Sequence, residues 1–168
     1  MIFSRFKRNI NLEKSIAEIL KTHKLMISVA ESCTGGLLSS RLTDISGSSE
    51  YIKANFVTYS NDSKISLLDV KPNTLRVYGA ISEQCARDMS EGLYRKTNAD
   101  IVISTTGIAD NGGNVDGKTA GLMYVSITNK YKTIVQEFKL NPKYNRIRMK
   151  QEFAQCALQM LLDSLSEG

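Results

Sequence analysis

The segment Ala30-Glu31-Ser32-Cys33-Thr34-Gly35-Gly36 lies directly behind the apolar run Leu25-Met26-Ile27-Ser28-Val29 and opens into Leu37-Leu38-Ser39-Ser40-Arg41-Leu42. A short apolar run, a hydroxyl-rich turn ending in two glycines, and apolar residues returning at helical spacing predict a strand, a turn and a helix. This is the unit from which open α/β sheets are wound, so it commits the chain to a sheet with helices packed on it. Unpaired backbone N–H groups in such a turn, next to the positive end of a helix dipole, suit an anionic or oxyanionic ligand. Cys33, at the helix start, is a candidate nucleophile, with a buried small hydrophobe as the plain alternative.

The remaining pattern supports the same class. Leu12, Ile16, Ile19 and Leu20 predict a helix with Asn11 as N-cap. The first strand is expected at 25–30, and the helix after the glycine turn runs to about Ile45, stopped by Ser46-Gly47. Glu50 to Ser60 predicts a strand, and Asn61 opens a short helix, Ser63 to Leu68, ended by Asp69 and Pro72. Ser82 caps a helix that continues to about Lys96. A buried-type strand over 99–105 leads into Thr106-Gly107-Ile108-Ala109 and a polar loop up to Gly117. Gly121–Thr128 and Lys132–Leu140 predict a hairpin, and a helix from Tyr144 to Leu165 closes the chain. Strands interspersed with helices imply a three-layer α/β/α fold with a mixed sheet, one domain over 1–168 with residues 1–11 as a basic N-terminal arm.

Composition narrows the function classes. Hydrophobic residues at 42% and charged residues at 23% are those of an ordinary globular protein. No window approaches a membrane span, and Arg5, Lys7 and Arg8 interrupt the opening residues before a signal peptide's apolar core can form, so a cytoplasmic protein is expected. Cys33, Cys85 and Cys156 are widely spaced and suggest neither disulfides nor a metal site. The net charge of +5 is concentrated in residues 1–24, where Arg5, Lys7, Arg8, Lys14, Lys21 and Lys24 face Glu13 and Glu18. With no nucleic-acid motif beside it, this arm predicts a solvated tail or an oligomer contact rather than nucleic-acid binding. His23 is the sole histidine, so a Ser-His-Asp triad would have to use a residue at the end of the first helix.

Ligands of open α/β sheets collect beyond the carboxyl ends of the strands, where the turns after residues 30 and 106 should converge. Ser46-Gly47-Ser48-Ser49 joins them only if the intervening helix folds back. Thr58-Tyr59-Ser60-Asn61-Asp62-Ser63-Lys64 adds a lysine and a tyrosine, either of which can serve as a base beside a serine when its pKa is lowered. From the residues alone, capping for Ser48 and Ser49, a strand position for Tyr59 and a solvated helix position for Lys64 stay open beside that chemistry.

Taken together, Ala30–Gly36, Gly47-Ser48-Ser49, Tyr59-Ser60-Asn61 with Lys64, Gly79-Ala80-Ile81-Ser82 and Thr106-Gly107-Ile108-Ala109 resemble the successive motifs of the CinA C-terminal domain family over about residues 12–165. The resemblance, to the stand-alone form, implies a nicotinamide-nucleotide amidase. Such an enzyme hydrolyses nicotinamide mononucleotide to nicotinic acid mononucleotide and ammonia with no cofactor and no metal, and works as a homo-oligomer. It further implies Ser49 as nucleophile, activated by Tyr59 and Lys64, with Ser32, Thr34, Gly35, Gly36, Thr106, Gly107 and Arg146 binding the substrate and its oxyanion. The sequence departs from the family at Asp110-Asn111, where Gly-Pro is usual, and at Ser46, where proline is usual. The alternative is a weakened or inactive nucleotide-binding module of the same family, linked to competence or recombination.

Overall fold

The computed structural model describes residues 11–110, 114, 115 and 117–166. The predicted arm, apart from Asn11, lies outside them, as does Asn111. Helix α1 (Asn11–Thr22) precedes strand β1 (Ile27–Glu31), helix α2 (Leu37–Thr43), a 3-10 turn at Ser48–Glu50 and strand β2 (Ile52–Val57). Two short helices follow, α3 (Asn61–Leu68) and α4 (Pro72–Tyr78), then α5 (Glu83–Thr97) and β3 (Ile101–Gly107). A two-stranded ribbon, β4 (Asn114–Val115) with β5 (Lys118–Thr119), leads to β6 (Leu122–Asn129), β7 (Thr133–Lys139) and the long helix α6 (Arg146–Ser166). Helix α4 was not anticipated: Pro72 stops a helix when read from the preceding side, but here it occupies the first turn of the next one, where its missing N–H costs nothing.

The five main strands form one mixed sheet in the order β2-β1-β3-β6-β7. Strands β2, β1 and β3 are parallel, and β6 and β7 run antiparallel to β3 and to each other. Alternation of side chains along each strand splits the core in two. Val29, Ile101, Ile103, Met123, Val125 and Ile127 face α1, α2 and α6, while Ala30 and Val102 face the side of Leu68, Cys85, Met89 and Leu93 on α3 and α5. On this second face α5 also meets the sheet through hydroxyls. Ser90 bonds Ser126 at 2.7 Å and Thr128 at 2.8 Å, and Ser104 donates to the Ala86 carbonyl at 2.7 Å. Three layers result, as the pattern predicted.

One buried stripe differs from its prediction. Helix α1 buries Glu13, Ile16, Ala17 and Leu20, so a carboxylate occupies a position the apolar spacing gave to Leu12. The Arg41 guanidinium accounts for it, donating to Glu13 at 2.7 Å and to Gln155 of α6 at 2.7 Å. Among the described residues, no helix is long and apolar enough to cross a membrane.

Candidate active site

Because β1, β2 and β3 are parallel, their carboxyl ends share one edge, and the backbone beyond them builds a cavity of about 250 Å³. Ser32 and Cys33 follow β1, Tyr59, Asn61 and Lys64 follow β2, Thr106 and Gly107 end β3 and Ile108–Asp110 follow it, with Arg146 from α6 and Ala80–Ile81 completing the lining. Thr106 anchors its wall by donating to the Ala80 carbonyl at 2.6 Å. At Gly107 the chain passes so close to the neighbouring strand that a Cβ would sit 2.5 Å from the Leu122 carbonyl oxygen. A side chain there is incompatible with the β3–β6 spacing.

Lys64 is the central group. It lies on α3, whose start is fixed by a reciprocal cap between Ser60 and Ser63. The side chain is 1% exposed, and its ammonium nitrogen is 3.0 Å from Ser32 Oγ, 2.8 Å from the Thr58 carbonyl and 3.4 Å from the Tyr59 carbonyl. Burial pulls its pKa below the ordinary lysine value. Cys85 and Cys33 would oppose that as thiolates, but burial pushes both thiols up to about 12, so neither is charged near neutral pH. No carboxylate pairs with Lys64 among the described residues. Its polar neighbours are two carbonyls, which only accept, and one hydroxyl, which accepts or donates.

At the mouth, Arg146 donates to the Tyr59 hydroxyl and, at 3.5 Å, to the Ala109 carbonyl. Tyr59 itself is 59% exposed. Cys33 packs in the main core, and its raised pKa removes it as a nucleophile.

Ser32, Tyr59, Lys64, Thr106, Gly107 and Arg146 thus meet at one cavity, and the other expected site residues do not. Ser49 lies in the exposed 3-10 turn before β2. There the Tyr51 carbonyl bonds the Ile27 amide at the start of β1. At about 3.3 Å per strand residue, that end of β1 is about 16 Å from Ser32. The reason is topological: a crossover between parallel strands must return the chain to the amino end of the sheet, and α2 makes that return. The lysine's serine is therefore Ser32.

The glycine turn also differs from its expected role. Gly36, with φ of +92°, turns the chain into α2, but the amides behind it are occupied. Glu31, buried at the end of β1, accepts from the N–H groups of Gly36 and Leu38 at 3.0 Å each and of Ser39 at 2.8 Å. The protein's own carboxylate takes the place expected for an anionic ligand. Thr34 is wholly buried and bonds Thr105 at 2.9 Å, and neither it nor Gly35 or Gly36 lines the cavity. Sequence reasoning assigns no role to Glu31, although a glutamate closing a strand five to eight residues before the first amides of a helix is the signal that finds it.

Fold and cavity define an α/β protein with a small-molecule-sized site at the carboxyl edge of a mixed sheet. The CinA C-terminal domain model matches residues 9–165, and the chain belongs to that family. It is 42% identical over 157 residues to a CinA-like protein of Chloroherpeton thalassium, covering 92% of this chain and 37% of that one. It is 42% identical over 161 residues to a CinA-like protein of Chlorobaculum tepidum, covering 94% and 38%. The chain thus spans just over a third of the length of these relatives. Among solved structures, a CinA superfamily protein from Klebsiella pneumoniae superposes with a TM-score of 0.90 at 27% identity, covering 95% of this chain and 98% of that one. The competence/damage inducible protein CihA from Agrobacterium tumefaciens gives 0.85 at 34% identity, covering 92% and 95%.

Proposed function

We propose that this chain is a serine amidohydrolase that converts nicotinamide mononucleotide to nicotinic acid mononucleotide and ammonia, with Ser32 as nucleophile and Lys64 as its base. The observation that carries the reading is the buried Lys64 amine 3.0 Å from Ser32 Oγ, with no carboxylate paired to it among the described residues. Lys64 takes the Ser32 proton as Oγ bonds the carboxamide carbon, and the carbonyl electrons move onto oxygen. The Cys33 and Thr34 amides, which make no backbone hydrogen bond among the described residues, lie next to Ser32 and suit that oxyanion. Its collapse breaks the C–N bond, and Lys64 passes the proton to the departing nitrogen, releasing ammonia. Water, deprotonated by the same amine, then attacks the ester and frees the acid and Ser32.

The substrate is taken from the family resemblance, and two features of the site suit it. The cavity admits a flat carboxamide ring, and Arg146, exposed at the mouth and steered by Tyr59, offers a guanidinium to a phosphate. Tyr59 then serves the mouth rather than the proton transfer. A homo-oligomer belongs to the same reading.

Ammonia release from nicotinamide mononucleotide by the purified chain tests it. Ser32→Ala should lower kcat by about 10³-fold or more, while Ser49→Ala stays within about twofold of the unaltered protein. Near-normal turnover in Ser32→Ala, or its loss in Ser49→Ala, would return the nucleophile to Ser49. Saturable nucleotide binding with no product from the unaltered chain would favour the non-catalytic module.

A further inference from the structure

Glu31 is a buried carboxylate beside the site that the proposed chemistry leaves unused. Besides the three amides already described, its carboxylate accepts from the Ser39 hydroxyl at 2.5 Å. A buried carboxylate is tolerated only with such donors, and all four of them lie on the far side of the turn that carries Ser32. The side chain therefore ties the end of β1 to the start of α2 across residues 32–35. Its main chain acts on the other partner: the Glu31 carbonyl accepts the Thr58 amide at 2.8 Å, and the Thr58 carbonyl accepts from Lys64 at 2.8 Å.

We infer that Glu31 is a positioning residue that holds Ser32 Oγ on Lys64 by closing the turn around it. The inference rests on the amidohydrolase reading above. Glu31 makes no bond to Lys64 or to Ser32 Oγ, so it acts through geometry rather than through charge on the base. Displacements of about 1 Å at a reacting pair cost on the order of 10²-fold in rate while leaving binding largely intact.

The test uses the full chain and two readouts: the rate at which a fluorophosphonate probe labels Ser32, and steady-state turnover per labelled site. Glu31→Gln keeps the size but turns an NH2 group toward N–H donors, and should slow both by about 30-fold or more with KM within about threefold. The pH at which the acid limb of the rate profile falls should not move, whereas a role through charge would shift it. Glu31→Asp, which retains the carboxylate, should recover part of the loss. Ser39→Ala, which removes one donor and leaves the carboxylate in place, should slow labelling about threefold or more and covers the case in which Glu31→Gln does not fold. Unchanged labelling and turnover per site in Glu31→Gln, or in Ser39→Ala should the other variant not fold, would overturn the inference alone. Absence of any Ser32 adduct in the unaltered chain would overturn the amidohydrolase reading and this inference with it.

Discussion

A lysine whose pKa lies below the ordinary value leaves two signatures with opposite practical use. On the amidohydrolase reading proposed above, kcat/KM should rise with pH as Lys64 loses its proton, with the inflection below the roughly 10.4 of a free lysine, and Lys64→Met should remove both the limb and the activity. In stability the sign is fixed by proton binding. Between the folded and unfolded pKa values the unfolded chain holds the extra proton, so the folded state gains as pH rises through that window. Relative to the unaltered protein, Lys64→Met should therefore fare better in urea at pH 5.5 than at pH 9; the reverse order would mean that Lys64 is folded as an ammonium. At this scale the sequence was partly legible. It named Lys64, Tyr59, Thr106 and Arg146 by motif, but not which serine the lysine reaches, because that depends on chain direction through the sheet rather than on spacing.

Among the elements, α2 shows how much depends on such direction. Its alternation and glycine entry were readable, yet the consequence that Ser49 sits at the far edge follows only once β1 and β2 are known to be parallel. The same helix carries Arg41, which holds α1 and α6 through Glu13 and Gln155 from a site only 4% exposed. Glu13 escaped the pattern because its partner lies 28 residues away on another helix. Removing one member of a buried pair strands the other, so Arg41→Met should cost about 3–5 kcal/mol in urea unfolding, and adding Glu13→Leu should restore most of it. Equal losses in the single and double variants would show that the pair has no such coupling.

For the molecule as a whole, the mixed sheet sets a gradient of stability. Strands β1 and β3 are buried along nearly their whole length and paired on both sides, whereas β2 and β7 are edges. Amide exchange should be slowest at the centres of β1 and β3 and faster along β7, and a sheet exchanging uniformly would contradict this order. Fold class was the most legible property, since alternation and turn chemistry act over a few residues and each agrees with the whole. The cavity was the least legible, because its lining is drawn from turns that touch only after the sheet is assembled.

The bond from Arg146 to Tyr59 spans 87 residues, and it gives the site an order of completion during synthesis. Ser32, Lys64 and the walls after β3 all leave the ribosome before the final helix does. The groups at the floor of the cavity are thus made first, and the mouth acquires its guanidinium only when α6 docks. On the amidohydrolase reading proposed above, phosphate capture waits for the last segment made, and a chain that stops before α6 lacks the guanidinium for it.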